Sequence, residues 1–244
     1  MLAPNSSDLL RAWDGSLARS PAARPLTYLE CLASNPPDRG WKHIPIGLRD
    51  ARLLDLQEQT FGSQLHCLSD CPSCRTTVEF SLPVQVLRRP VPAESAVLEM
   101  QDQDTRVSFR LPDTSDLMEI DEAPDEVSAA RQLFARCLVS ASRADGTPIP
   151  AHEIPDETVT RISEQMATAD AQADVVVTLV CPECQHTWES PFDIALFFGI
   201  ELHAWARRTL REIHELASAY GWSESEILHV SPSRRQAYLD MVRS

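Results

Sequence analysis

The feature that most limits how this chain can fold is a pair of CPxC motifs set far apart. The first lies in "LHCLSDCPSCRTTVEF", residues 65–80, and the second in "ADVVVTLVCPECQHTW", residues 173–188. Two cysteines cannot fill a tetrahedral metal site, so each motif needs the other. Both sit between short β-forming runs and read as a weak internal repeat of two cysteine knuckles on hairpins. Cys71, Cys74, Cys181 and Cys184 are therefore expected to bind one structural zinc ion as a split ribbon. A CxxC turn lets two sulfurs point at one ion about 2.3 Å away while backbone amides stabilise their charge. The metal would then close a loop of more than a hundred residues, because 106 residues separate Cys74 from Cys181.

Other uses of the cysteines compete with this reading. They could be unligated. Dithiol oxidoreductases also carry CPxC, but there the motif opens a helix, which lowers the thiol pKa. Here "TTVEF" and "TWES" follow, and both read as strands. A catalytic zinc needs an open position and a nearby base, and four sulfurs leave neither. Cys67 could be a spare ligand but reads better as a half-buried strand thiol. Cys31 and Cys137 fall on apolar helix stripes and are expected in the core. His186 is expected to be exposed or to hydrogen-bond beside the site. His203 and His214, 11 residues apart, read as ordinary helix histidines rather than a metal pair. There is no glycine-rich phosphate loop and no GxSxG, and no carboxylate pair stands out from the general acidity. The expectation is a chain that is not an enzyme.

Composition narrows the class further. Seven cysteines, and an N-terminus without a basic-then-apolar leader, point to thiols and metal in a cytoplasmic chain rather than disulfides. No run of 18 apolar residues is present, so no membrane-spanning helix and no direct membrane contact is expected. The net charge is −14, and residues 91–130 alone hold 11 acidic against 2 basic residues. Such a field repels phosphate backbones, so nucleic acid is not an expected partner. The last 24 residues resemble a helix-turn-helix reader, but only Arg234 and Arg235 give it a basic tip. Packing of Trp222, Ile227, Leu228, Tyr238 and Leu239 into a helical cap is the better reading.

The pattern predicts an α+β fold: a split four-cysteine zinc-ribbon β-element, an inserted α/β segment, and a C-terminal helical region led by one long helix. The expected division is residues 1–62 helical, 63–90 the first knuckle hairpin, 91–174 the acidic insertion, 175–190 the second hairpin and 191–244 helical. Within the insertion, 95–112 reads as a hairpin turning at Asp102–Asp104. Thr114 or Ser115 is expected to cap a helix over 115–123, with further helices over 125–141 and 155–170. The helix over 125–141 is expected to gather Val127, Leu133, Phe134, Cys137 and Leu138 on one stripe. Ser190-Pro191 reads as the cap and first residue of the long helix, which Gly221 ends after about 29 residues. Ser223 and Glu226 form a capping box for the next helix, and Ser231-Pro232 opens the last.

The segments "CPECQHTWESPFDIALFF", "AWARRTLREIHELASAYGWSESEIL" and "SPSRRQAYLDMV" resemble the phage baseplate protein family. That family includes hub assembly chaperones of T-even phages and relatives in contractile injection systems. "GLRDARLLDLQEQTFGSQLHCLSDCPSC" and "VSFRLPDTSDL" are similar to it as well. The resemblance runs over about residues 25–243, is most specific in the C-terminal third, and includes the knuckles at Cys71, Cys74, Cys181 and Cys184. It implies a non-enzymatic assembly factor or structural adaptor of a contractile tail-like particle, with baseplate, hub and spike proteins as partners and the particle as a further location. The alternative is a zinc-ribbon regulatory protein that binds nucleic acid.

Overall fold

The computed structural model describes residues 4–102, 104–121 and 123–243. Three helices come first: α1 (Ser6–Leu17), α2 (Arg24–Leu32) and α3 (Ile46–Thr60). The hairpin β1 (Gln64–Asp70)–β2 (Thr77–Pro83) follows, then β3 (Val97–Asp102) and β4 (Thr105–Arg110). The insertion continues with α4 (Thr114–Ile120), α5 (Glu126–Cys137), β5 (Leu138–Arg143) and α6 (Asp156–Ala169). The second hairpin is β6 (Val176–Val180)–β7 (Thr187–Pro191). The chain ends in α7 (Ile194–Tyr220), α8 (Glu224–His229) and α9 (Pro232–Arg243). Among the described residues the strands form three separate antiparallel sheets, ordered β1-β2, β3-β4-β5 and β6-β7, so the architecture is α+β.

The main core lies where α1, α2, α3, the strand β1 and the first half of α7 meet. Phe198, fully buried, sits 5.3 Å from the Tyr28 ring and 5.7 Å from that of Phe61. Leu29, Ile44, Leu53, Leu54, Leu65 and Leu202 close around it. Each such side chain contributes about 1.5–3 kcal/mol by leaving water. The insertion has its own small core of Val107, Phe109, Phe134, Ile154 and Ile162. A third cluster packs Leu10, Ile213, Leu216, Ile227 and Leu239 where α8 and α9 fold back on α7.

The ends of the insertion are held together by one side chain. Gln172 Oε1 accepts from the Arg89 amide at 2.7 Å, and its Nε2 donates to the Leu87 carbonyl at 3.2 Å. Three residues on, the Val175 carbonyl accepts from the Phe192 amide at 2.8 Å. The exit of the first hairpin and the entry of the second are thereby fixed side by side, which is what two distant half-sites require.

Several local boundaries differ from those expected. Ser190 and Pro191 do not open α7; they end β7, paired with Val177 and Val176. The Phe192 bond keeps the chain extended, and Asp193 becomes the cap, accepting from the Leu196 amide at 3.0 Å. The helix therefore spans 27 residues, and Gly221 ends it in the left-handed region at φ 70°, as the sequence implied. Neither Thr114 nor Ser115 caps α4. Asp113 does, and Asp116 bonds back to the Asp113 amide at 3.0 Å, so two aspartates make the capping box.

The helix expected over 125–141 stops at Cys137, because residues from Leu138 onward pair with β4 and gain ladder bonds that a helix end would lack. Val127, expected on its buried stripe, is 69% exposed. The β3–β4 turn includes Gln103, and the α4 region includes Glu122; both lie outside the described residues, as do residues 1–3 and 244. Arg235 is no basic tip: it is buried and lies 3.6 Å from the Glu212 carboxylate.

Candidate metal centre

The two knuckles are built alike from local backbone geometry. In the first, the Cys71 amide donates to the Thr76 carbonyl at 2.9 Å and the Arg75 amide to the Cys71 carbonyl at 2.8 Å. In the second, Cys181 donates to His186 at 2.9 Å and Gln185 to Cys181 at 3.0 Å. Arg75 and Gln185 both take the left-handed conformation, at φ 63° and 61°. That region costs a residue with a side chain about 1 kcal/mol or more, and here it turns the following amide back toward a sulfur. The Thr76 amide reaches Cys74 and the His186 amide reaches Cys184.

The knuckles face each other so that the buried cysteine of one meets the exposed cysteine of the other. Cys71 Sγ lies 3.7 Å from Cys184 Sγ, and Cys74 Sγ lies 3.5 Å from Cys181 Sγ. All four sulfurs fall within 4.8 Å of one another. A tetrahedral ion with sulfurs at 2.3 Å requires them to be about 3.8 Å apart. The four thiols thus fit a four-coordinate metal ion in number, chemistry and spacing. Val78 and Trp188 pack against Cys71 and Cys181 from below.

The electrostatics point the same way. The Cys74 thiol is lowered to about 6, first by the Thr76 hydroxyl and then by the Thr76 amide. At Cys184 the His186 amide favours the thiolate. Desolvation and the neighbouring sulfurs of Cys74, Cys181 and Cys71 outweigh it and raise the thiol to about 11. Four thiols this close cannot all ionise unless positive charge is placed among them, which is what a divalent cation does.

The remaining candidates fall outside the cluster. Cys67 is buried in the main core, and burial, helped by Glu201, pushes its thiol up. Cys31 packs at the edge of that core. Burial and the Asp116 carboxylate raise the Cys137 thiol to about 12, which leaves it inert. His186 is exposed and stacks on Trp188. His203 accepts a hydrogen bond from Trp13 Nε1 at 3.0 Å, and His214 is exposed.

The T4 bacteriophage base plate protein family matches residues 8–199, a span that includes both knuckles. The chain belongs to that family. The match to the base plate family starts earlier than the resemblance read from sequence. It stops at residue 199, so most of α7 and all of α8 and α9 lie beyond it. No curated protein and no solved structure matches this base plate protein. Among its described residues, no helix is long and apolar enough to cross a membrane.

Two elements that hold the centre in place had no sequence signal. Gln172 clasps chain segments more than 80 positions away, and Asp170 caps α3 from the far end of the insertion. Neither residue belongs to a motif, and only the folded chain brings their partners near.

Proposed function

We propose that this chain is a non-enzymatic assembly factor or structural adaptor of the baseplate hub of a contractile phage tail-like particle. One zinc ion held by Cys71, Cys74, Cys181 and Cys184 stabilises it. The observation that carries the reading is the baseplate family match across residues 8–199, which gives the chain a structural, baseplate-related role. The hub and the contractile particle are the finer part of the proposal.

The four-sulfur donor set favours zinc among divalent ions. Bound there, zinc supplies two positive charges and four bonds, with no redox chemistry. Cys71 and Cys181 anchor the site in packed hairpin bases, while Cys74 and Cys184 close it from the outer side. Cys74 and Cys181 are 107 positions apart. A cross-link over a loop of that size removes about 4–5 kcal/mol of chain entropy from the unfolded state. With all four positions filled by sulfur, the site has no place for a substrate, which supports a structural rather than catalytic use. The acidic charge of the chain disfavours the nucleic-acid alternative.

The test is quantitative mass spectrometry of gradient-purified particles and of the matching soluble fraction. The chain is expected either in particles at a small fixed ratio to hub and spike proteins, or in the soluble fraction bound to a hub protein. Recovery only as a free chain, bound to no baseplate protein in either fraction, would contradict the proposal.

A further inference from the structure

Only one side of α7 is packed. Ile194, Phe198, Leu202, Ala206, Ile213 and Leu216 are buried against the rest of the chain. The opposite face, running through Leu196, Ile200, His203, Arg207, Leu210 and Arg211, recurs at helical spacing and lies open to solvent. From Leu196 to Arg211 it extends about 22 Å at 1.5 Å per residue. Leu196 is 59% exposed and Ile200 60%, one turn apart, and Leu17 across from them is 54% exposed. Two such aliphatics side by side leave most of their apolar surface in water, so they contribute little to folding.

These residues edge a groove of about 660 Å³ bounded by α1, the start of α2 and α7. Its floor is kept low by small residues. Gly199 is one of them, and a Cβ there would stand 2.8 Å from the Tyr28 hydroxyl. Trp13 forms one wall, and its Nε1–H donates to His203 Nδ1 at 3.0 Å. That bond leaves the Nε2–H of the neutral His203 ring free to donate outward.

The charge around this groove runs opposite to that of the chain. The net charge is −14, yet Arg24 lines the groove on one side. Arg207, Arg208 and Arg211 stand where the apolar stripe of α7 ends. Among the described residues none of these four arginines forms an ion pair; Arg24 and Arg211 donate only to the carbonyls of Arg19 and Arg207. Among the described residues that line the groove the one acid, Asp193, is engaged as the cap of α7.

We propose that the groove docks an amphipathic helix of a baseplate partner. The partner's apolar stripe would fill the groove along Leu196 and Ile200, and its acidic residues would meet Arg207, Arg208 and Arg211. This rests on the function proposed above and names the chemistry of the partner. A groove between helices takes a helix by its i, i+3, i+4 anchors, whereas a strand would need an open sheet edge, which the groove lacks. The chain's own acidity opposes a second copy as the occupant.

The test uses two fluorescein-labelled helical peptides of about 18 residues, with the same leucine stripe and either glutamate or lysine on the polar face. Anisotropy is read with the full chain. The glutamate peptide is expected to bind at least about ten-fold more tightly than the lysine peptide. Ile200→Glu should weaken it about ten-fold or more, and Arg207→Glu with Arg211→Glu should remove the preference and its salt dependence. All three positions are exposed, so unchanged melting curves will show that the variants fold. Equal binding of both peptides, or wild-type binding by Ile200→Glu, overturns the proposal. A wild-type dimer in sedimentation that Ile200→Glu dissociates also overturns it, because the face is then a self-interface. A chain recovered in particles or hub complexes that binds neither peptide loses the groove but keeps the proposed function. Glutamate-peptide binding by a chain found in no baseplate complex keeps the groove and loses that function.

Discussion

The backbone N–H of Gly47 donates to Oδ2 of Asp170 at 2.9 Å, across 123 positions of sequence. α3 begins with Pro45 at its cap position and has no side-chain cap of its own. Asp170, from the end of the insertion, supplies that acceptor from outside the helix. The contact ties the insertion to the N-terminal helices just before the second knuckle.

Gly47→Ala gives a diagnostic sign. Alanine in a helix normally gains about 0.5–1 kcal/mol over glycine. Here a Cβ would fall 1.8 Å from Asp170 Oδ1 and 2.9 Å from the Ala173 amide nitrogen. The second clash is with backbone and cannot be relieved by rotating a side chain. A loss of about 2–4 kcal/mol is expected in denaturant unfolding. A neutral or stabilising result would mean that the close approach is not there.

Metal content and stability should move together. Purified chain is expected to carry one zinc ion, read by native mass spectrometry. Cys181→Ser should lose the ion and melt about 10 °C lower, from an expected loss of about 3–5 kcal/mol in a chain this size. A variant that keeps its metal, or melts like wild type, would refute the ligand assignment.

The acid limb of stability should depend on Asp116. Its side chain is fully buried and accepts from Arg110 at 2.6 and 2.8 Å and from Arg136 at 3.0 Å. Burial pushes its carboxyl up, but Arg110, the Asp113 amide and Arg136 outweigh this and hold it below the usual range. A lowered folded value gives stability that is present above the unfolded value, about 3.9, and is lost as the pH falls through the folded one. Arg110→Met should therefore cost about 3 kcal/mol near pH 7, and the deficit should shrink below about pH 4. A deficit that stays constant from pH 7 to 3 would show that the pair contributes packing only.

The start of α7 can be checked with two alanine substitutions. Asp193→Ala should cost about 1 kcal/mol through the lost bond to the Leu196 amide. Ser190→Ala, in β7, should fall within about 0.5 kcal/mol of wild type. The reverse order of effects would return the cap to Ser190.

Much of this architecture was legible because its signals are local. The paired CPxC motifs, the Gly221 stop and the Ser223–Glu226 capping box each need only a few neighbouring residues. Where local signals compete, the longer-range partner decided. Ser190-Pro191 is a good helix opening, but pairing with Val176 and Val177 keeps it in a strand. Leu138–Arg143 continues a helical pattern, yet the edge of β4 claims it. The roles of Asp170 and Gln172 could not be read at all, since their partners come close only in the folded chain. The exposed Leu196 and Ile200 were equally hidden, because periodicity marks apolar faces without saying which one is covered.

The most direct test of the proposed role is a clean deletion of the gene in the particle-producing host. Sheath and tube proteins should still be made, while particles should be absent or carry defective baseplates, and the intact gene should restore them. Intact, functional particles from the deletion strain would contradict a baseplate role for this chain.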